Sequence, residues 1–156
     1  MKKILISGLI LAMMSSVLVG CSSNSDINNL TSNEIASQLI DQGYVPMPME
    51  IDEAMAQEVY HINLDNVEDY AVYETGRSPG VGLIVIAKAK EGKVEDVKNS
   101  MEQLLQDEIG NAFYPEEKET AEQATIEVDG NFVSLFILNS DVDADAKKMY
   151  NDLLQK

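Results

Sequence analysis

The sequence is poor in the residues that build several common kinds of site. Its 156 residues include one cysteine, one histidine and no tryptophan. One cysteine excludes an intramolecular disulfide and a thiolate metal cluster, and one histidine excludes a zinc site made of several histidines. Basic residues are scarce too, since 11 Lys and Arg stand against 27 Asp and Glu, a formal net charge of −16. Such a chain is not suited to nucleic acid, whose binding needs cationic side chains that displace phosphate counterions.

The first 21 residues have the pattern of a bacterial lipoprotein signal. Two lysines precede a largely apolar run over residues 4–18, and the run closes on Leu18-Val19-Gly20-Cys21. It is shorter than the roughly 20 residues of a membrane-spanning helix, and the small residue at its end suits a signal peptidase. The sequence therefore predicts a signal peptide over residues 1–20. Its resemblance to lipoprotein signals implies a diacylglyceryl group on Cys21, while an uncleaved anchor and a plain secretory signal remain as alternatives.

A polar stretch follows the proposed lipid site. Residues 21–30 are mostly small and polar, which predicts a flexible tether with a root-mean-square span of about 18 Å. Cleavage after residue 20 would leave 9 basic and 27 acidic residues, a charge of −18. The expected location is the extracytoplasmic face of the cell membrane, with the membrane bound through the lipid anchor.

Residues 31–156 predict a single α+β domain, since 45% of the chain is hydrophobic and its length suits one core. Helix caps, apolar periodicity and turn residues mark the elements. The predicted helices cover residues 31–43, 50–59, 94–110, a short segment from 115, and 142–154; the predicted strands cover 70–74, 81–89, 125–128 and 132–138. The strands form two β-hairpins, so the expected fold is a two-layer sandwich in which helices cover one face of a four-stranded antiparallel sheet.

Several segments resemble a known family. They are the lipoprotein signal, residues 87–97 (AKAKEGKVEDV), Tyr114-Pro115-Glu116, and Asp129-Gly130-Asn131-Phe132 before an apolar strand. Together they resemble the small bacterial lipoproteins of the family called domain of unknown function 4358. The resemblance implies a Gram-positive cell surface. It carries no activity and no functional residues to this chain.

Alternating acids near the carboxyl terminus are a weak calcium candidate. Asp141, Asp143 and Asp145 have the spacing that opens a calcium loop. The sixth position is Ala146 where the loop needs glycine, and an apolar helical pattern runs through the segment. The favoured interpretation is a helix start with acids near the positive end of the helix dipole.

Arg77 is a weak binding candidate. It is the only arginine in the chain and lies in the glycine-rich segment 76–82. That segment lacks the Gly-Lys-Ser/Thr ending of a phosphate loop, so a hairpin loop is favoured. Arg77 could meet a carboxylate or phosphate of a partner, with a solvated turn residue or an internal ion pair as the alternatives.

His61 and the Met47–Met49 segment allow two further interpretations. His61 could act as a base, but no Gly-x-Ser-x-Gly elbow accompanies it, and a structural role is favoured. Met47 and Met49 alternate with prolines and form either a partner-docking patch or ordinary packing.

No catalytic constellation or cofactor motif is evident in the sequence. The favoured hypothesis is a non-enzymatic, lipid-anchored binding or accessory module for an envelope protein or a small ligand. The alternative is a carboxylate-based or metal-dependent envelope hydrolase, which would need a deep pocket with converging acids.

Overall fold

The computed structural model describes residues 30–155. The expected signal peptide, Cys21 and nearly all of the expected tether lie outside these residues. The described chain forms α1 (Ser32–Asp41), β1 (Pro48–Glu50), α2 (Glu53–Glu58), β2 (Val67–Thr75), β3 (Leu83–Ala89), α3 (Val94–Asn111), α4 (Pro115–Gln123), β4 (Ile126–Asp129), β5 (Phe132–Ile137) and α5 (Asp143–Leu154). None of these helices has both the length and the apolar character needed to cross a bilayer.

The strands form one antiparallel sheet in the order β1-β2-β3-β5-β4. Both predicted hairpins, β2–β3 and β4–β5, are present. Gly130, at the tight turn between β4 and β5, has a φ of +63°, a conformation that glycine adopts without a steric penalty. The α+β class and the antiparallel sheet are therefore confirmed.

The sheet has five strands, so the expectation of four is wrong. The additional strand is β1, whose three residues are all exposed and pair with the end of β2. Its backbone is held on both sides of the pairing, because the Gly76 amide donates to the Met47 carbonyl (2.9 Å) and the Ile51 amide donates to the Val72 carbonyl (2.9 Å). The short segment is a strand because β2 offers it hydrogen-bonding partners.

Helices cover both faces of the sheet, so the expected two-layer sandwich is wrong as well. On one face, Val85 and Leu135 pack in a core with side chains of α2, α3 and α4. On the other face, Ile84 and Phe136 pack in a second core with side chains of α1 and α5. Every residue of β3 and β5 is buried, as expected for central strands with both faces covered.

The start of α1 is fixed to one end of the sheet. Thr31 and Glu34 form the predicted capping box. The buried Ser32 amide donates to the Asp69 carboxylate (2.6 Å), which holds the start of α1 beside the start of β2. We call this end, where β2 and β5 begin and β3 ends, the entry end. The opposite end, where β2 and β5 end and β3 begins, is the loop end.

Candidate binding cleft

A cleft of about 270 Å³ opens at the loop end of the sheet. It lies between the β2–β3 loop, residues 76–82, and the junction of α3 with α4, residues 111–117, and Leu83, Ala121 and Ile137 contribute apolar surface to it. A second depression of about 240 Å³ shares Arg77, Gly80, Val81 and Glu117 with this cleft and extends to Pro46, Tyr114 and Asn139. We call the two together the loop-end cleft.

Hydrogen bonds link the β2–β3 loop to the elements on either side of it. The Thr75 hydroxyl donates to the Pro46 carbonyl (2.6 Å), which ties the end of β2 to the approach to β1. The Gly80 amide donates to the Glu117 carboxylate of α4 (3.3 Å). The Ser78–Pro79 peptide bond within the loop is cis. The loop is thus connected to both walls of the cleft.

Three carboxylates line the inner part of the cleft: Glu74, Glu108 and Glu117. Glu74 accepts a hydrogen bond from the buried Tyr60 hydroxyl (2.5 Å). Glu117 accepts from the Gly80 and Tyr114 amides, the second at 3.2 Å, and so caps α4. Within residues 30–155, the Glu108 carboxylate makes no hydrogen bond or ion pair. The cleft therefore contains negative charge that the described chain leaves unpaired.

Burial among these acidic residues raises the pKa of two side chains, Glu108 and Tyr60. Desolvation raises the pKa of Glu108, and the nearby charges of Glu74, Asp107 and Glu117 raise it further. The pKa of Tyr60 is raised chiefly by burial and then by its hydrogen bond to Glu74. Tyr60 therefore stays a neutral hydrogen-bond donor to Glu74 at physiological pH.

Two large apolar side chains are exposed next in sequence to residues that line the cleft. Phe113 lies between cleft-lining residues of the α3–α4 junction and is 85% exposed. It packs edge-on against Tyr114, with ring centroids 5.2 Å apart. Met47, next to Pro46 on the other wall, is 69% exposed and has a φ of +49°. Exposed apolar groups beside a concavity are typical of a docking surface.

The structure places Arg77 at this cleft. It is exposed on the β2–β3 loop and lines both depressions. No carboxylate of residues 30–155 forms an ion pair with it. Its guanidinium is available to a partner, as the binding hypothesis requires.

The other sequence candidates lie elsewhere or have local partners. Asp143 and Asp145 lie in the first turn of α5, and the Asp143 carboxylate pairs with Lys147 (2.9 Å), while Asp141 precedes the helix. No group of three or more His, Cys, Asp or Glu within residues 30–155 is arranged to hold a metal ion. Calcium binding stays an untested prediction, and the segment is a helix start.

His61 is held in a contact between two elements. Its Nε2 atom lies 2.7 Å from the Asp107 carboxylate of α3, and its φ is +58°. The contact joins the segment after α2 to α3, one residue from Glu108. A structural role for His61 explains this geometry.

The fold and the cleft define a three-layer α+β domain with an open, acidic cleft at one end of an antiparallel sheet. A family described as Domain of unknown function (DUF4358) matches residues 41–138, which is more than half of the chain. The chain belongs to this family, and the predicted family membership is confirmed, while the lipoprotein signal lies outside the matched residues. The matched segment contains all five strands and every residue that lines the loop-end cleft except Asn139. No curated protein and no solved structure matches the chain.

Proposed function

We propose that this protein is a lipid-anchored extracytoplasmic binding module that holds another envelope protein at its loop-end cleft. The observation that carries the proposal is the exposure of Phe113 and Met47 beside residues that line a cleft, which also presents Arg77. Apolar anchors beside a concavity, with an arginine and other polar groups around them, are the usual composition of a protein-binding site. The same binding hypothesis allows a small ligand in the cleft in place of an envelope protein.

The anchor is supported by the sequence pattern that ends at Cys21. A Cys21→Ala variant should accumulate as unprocessed precursor or leave the cell without lipid, because the modified thiol is gone. The measurement is metabolic labelling with a fatty acid together with cell fractionation. A Ser22→Ala variant is the control and should be lipidated normally. Mature, lipidated product from the Cys21→Ala chain would contradict the anchor.

The binding role can be tested in intact cells by site-specific photo-crosslinking. A photoreactive residue at position 113 should give a discrete crosslinked product, because Phe113 is exposed and lies between the cleft-lining residues Ala112 and Tyr114. The matched control places the same group at Val128 of β4, which is also exposed but lies away from the cleft. Identical products from both positions, or none from position 113, would contradict a specific partner at the cleft.

A carboxylate-based hydrolase is the alternative, and one observation favours it. Glu108 lies in the cleft with a raised pKa and with Glu74 nearby, and a carboxyl with a raised pKa beside a second carboxylate is an arrangement used for acid–base catalysis. Hydrolysis of chromogenic esters or glycosides that a Glu108→Gln substitution abolishes would support this alternative. Hydrolysis at the same rate by the Glu108→Gln chain would show that Glu108 takes no part in the reaction.

A further inference from the structure

The loop-end cleft and the point where the expected tether joins the domain lie at opposite ends of the sheet. The described chain begins at residue 30, and the Ser32 amide bonds to Asp69 at the entry end. At the loop end, Thr75 pairs with Pro48, and Leu83 pairs with Ile137. Asp69 lies six residues before Thr75 in β2, so most of the length of this strand separates the Ser32 contact from the loop end.

This separation is comparable to the reach of the tether. The seven residues of β3 span about 20 Å at the usual rise of a strand, while residues 21–30 have an expected root-mean-square span of about 18 Å. A lipid on Cys21 would attach the domain to the bilayer through the entry end. In the orientation that keeps this end toward the bilayer, the cleft opens away from the membrane, toward a partner that approaches from outside.

The charges at the cleft determine which partner fits. Four carboxylates line it, those of Glu74, Glu108, Glu116 and Glu117, against the single guanidinium of Arg77. The last two acids lie in the first turn of α4, where the helix dipole offsets part of their charge. Glu74 and Glu108 are outside that field, and neither has a cationic partner within residues 30–155. An incoming cation would supply the missing counter-charge.

The apolar rim adds a second requirement. Phe113 and Tyr114 present aromatic rings beside these acids, and aromatic faces attract lysine and arginine side chains as well as apolar groups. A segment that carries both a basic and an apolar side chain would satisfy the acids and the rim together.

Resting on the proposed function, we propose that the loop-end cleft docks a basic polypeptide segment of an envelope protein, with a lysine or arginine directed to Glu74 and Glu108 and an apolar side chain against Phe113. The segment reaches the cleft from the side of the domain that faces away from the bilayer. Charge complementarity and the position of the tether are the two arguments for this occupant.

The test uses the complete lipidated protein in vesicles of zwitterionic phosphatidylcholine, to which a basic peptide has little affinity of its own. The probe is a fluorescein-labelled pentapeptide with a central phenylalanine flanked by lysines, and binding is followed by fluorescence anisotropy. We expect saturable binding that weakens when the salt concentration is raised, because exposed charge pairs are screened. A matched peptide with glutamates in place of the lysines should not bind.

Two substitutions and a control locate the binding. Phe113→Ala and Glu108→Gln should each weaken peptide binding by about tenfold, the size expected when a central contact is lost. Val128→Ala, which removes an exposed apolar side chain far from the cleft, should leave the affinity unchanged. Equal binding of the lysine and glutamate peptides, or equal loss in all three variants, would overturn the proposal.

Failure of this inference can be told apart from failure of the proposed function. If the crosslink at position 113 captures a partner through an acidic or neutral segment, the binding role stands and the basic occupant is wrong. If position 113 captures a basic segment, both are supported.

Discussion

Glu108 lies on α3 with three other acids nearby, and burial and these charges together raise its pKa above the ordinary value of 4.5. The folded protein therefore binds the Glu108 proton more tightly than the unfolded chain does. Its contribution to stability is fully present at pH values below 4.5 and is lost as the pH rises through the raised pKa. Ionised Glu108 is thus a destabilising charge at neutral pH, held where a cationic ligand could compensate for it.

A Glu108→Gln substitution should stabilise the protein at pH 7, because it removes the charge and keeps the shape of the side chain. We expect the melting temperature to rise by about 3 °C, the shift that ~1 kcal/mol produces in a chain of this size. The gain should disappear as the pH approaches 4.5. Thermal unfolding of the full chain between pH 4 and pH 8 measures both effects.

Glu119→Gln, on the exposed side of α4, is the control for this experiment. It removes one unit of negative charge from a solvated position, so it should change the melting temperature little at any pH. A gain from Glu108→Gln that is the same at pH 4.5 and pH 7 would show that Glu108 is not the titrating group.

At the level of individual residues, the sequence identified part of the candidate site. Arg77 stands out because it is the only arginine, and the structure places it at the cleft. Phe113 follows the end of α3 and precedes the Tyr-Pro start of α4, a position in which an aromatic residue has no regular element to bury it. The position of Phe113 between two helices therefore predicts its exposure, although the sequence analysis did not single it out. Glu108 has no distinguishing signal in the sequence, because the residues that line the cleft with it include Glu74 and the β2–β3 loop, which are distant in sequence.

Among the secondary-structure elements, α1 is hydrogen-bonded to the sheet at its first residue, through Asp69. Asp69→Ala should destabilise the protein by about 1–3 kcal/mol, because it leaves the buried Ser32 amide without its acceptor. Asp65→Ala is the control, since Asp65 is an exposed acid four residues earlier whose backbone, not its side chain, makes the local hydrogen bonds. Chemical denaturation measures the free energy of unfolding of both variants, and equal losses would contradict the proposed fixing of α1.

Two glycines should respond in opposite ways to alanine. At Gly82, at the loop end, an added Cβ would lie 3.1 Å from Val45 and 3.2 Å from Thr75, so Gly82→Ala should cost about 1–3 kcal/mol. At Gly110, the penultimate residue of α3, nothing lies within 4 Å of the added atom, and Gly110→Ala should stabilise the helix by ~0.5 kcal/mol, the lower end of the value for a helix interior. Chemical denaturation measures the free energy of unfolding of the two variants. A change in the same direction for both would contradict the prediction.

The sequence predicted most elements but not their layering. The caps and apolar patterns of α1, α3, α4 and both hairpins are local signals, and these elements are where they were expected. β1 was missed because three exposed residues that include Pro48 show no alternation, and the pairing with β2 is what makes them a strand. The predicted two-layer arrangement was wrong because the continuous apolar run of β3 was interpreted as part of a sheet with helices on only one face. Such a run is the signal for a strand buried on both faces.

For the whole molecule, the opposite positions of tether and cleft predict an orientation on the bilayer. A fluorophore attached through Glu91→Cys, in the turn after β3 at the entry end, should be quenched by spin-labelled lipid headgroups. The same fluorophore attached through Phe113→Cys should be quenched less, since the length of the sheet adds about 20 Å between lipid and cleft. Stronger quenching at position 113 would reverse the proposed orientation.

The pairing of the two central strands also sets an order for folding. Lys88 pairs with Phe132 and Leu83 pairs with Ile137, partners 44 and 54 positions apart. Each core is completed by this long-range pairing, so the chain must close a large loop before most of its apolar surface is buried. A chain whose last 25 residues are still emerging lacks β5 and has no complete sheet to form. If export occurs as proposed, the polypeptide would stay unfolded, and so able to pass through a narrow translocation channel, until the β4–β5 hairpin has reached the far side.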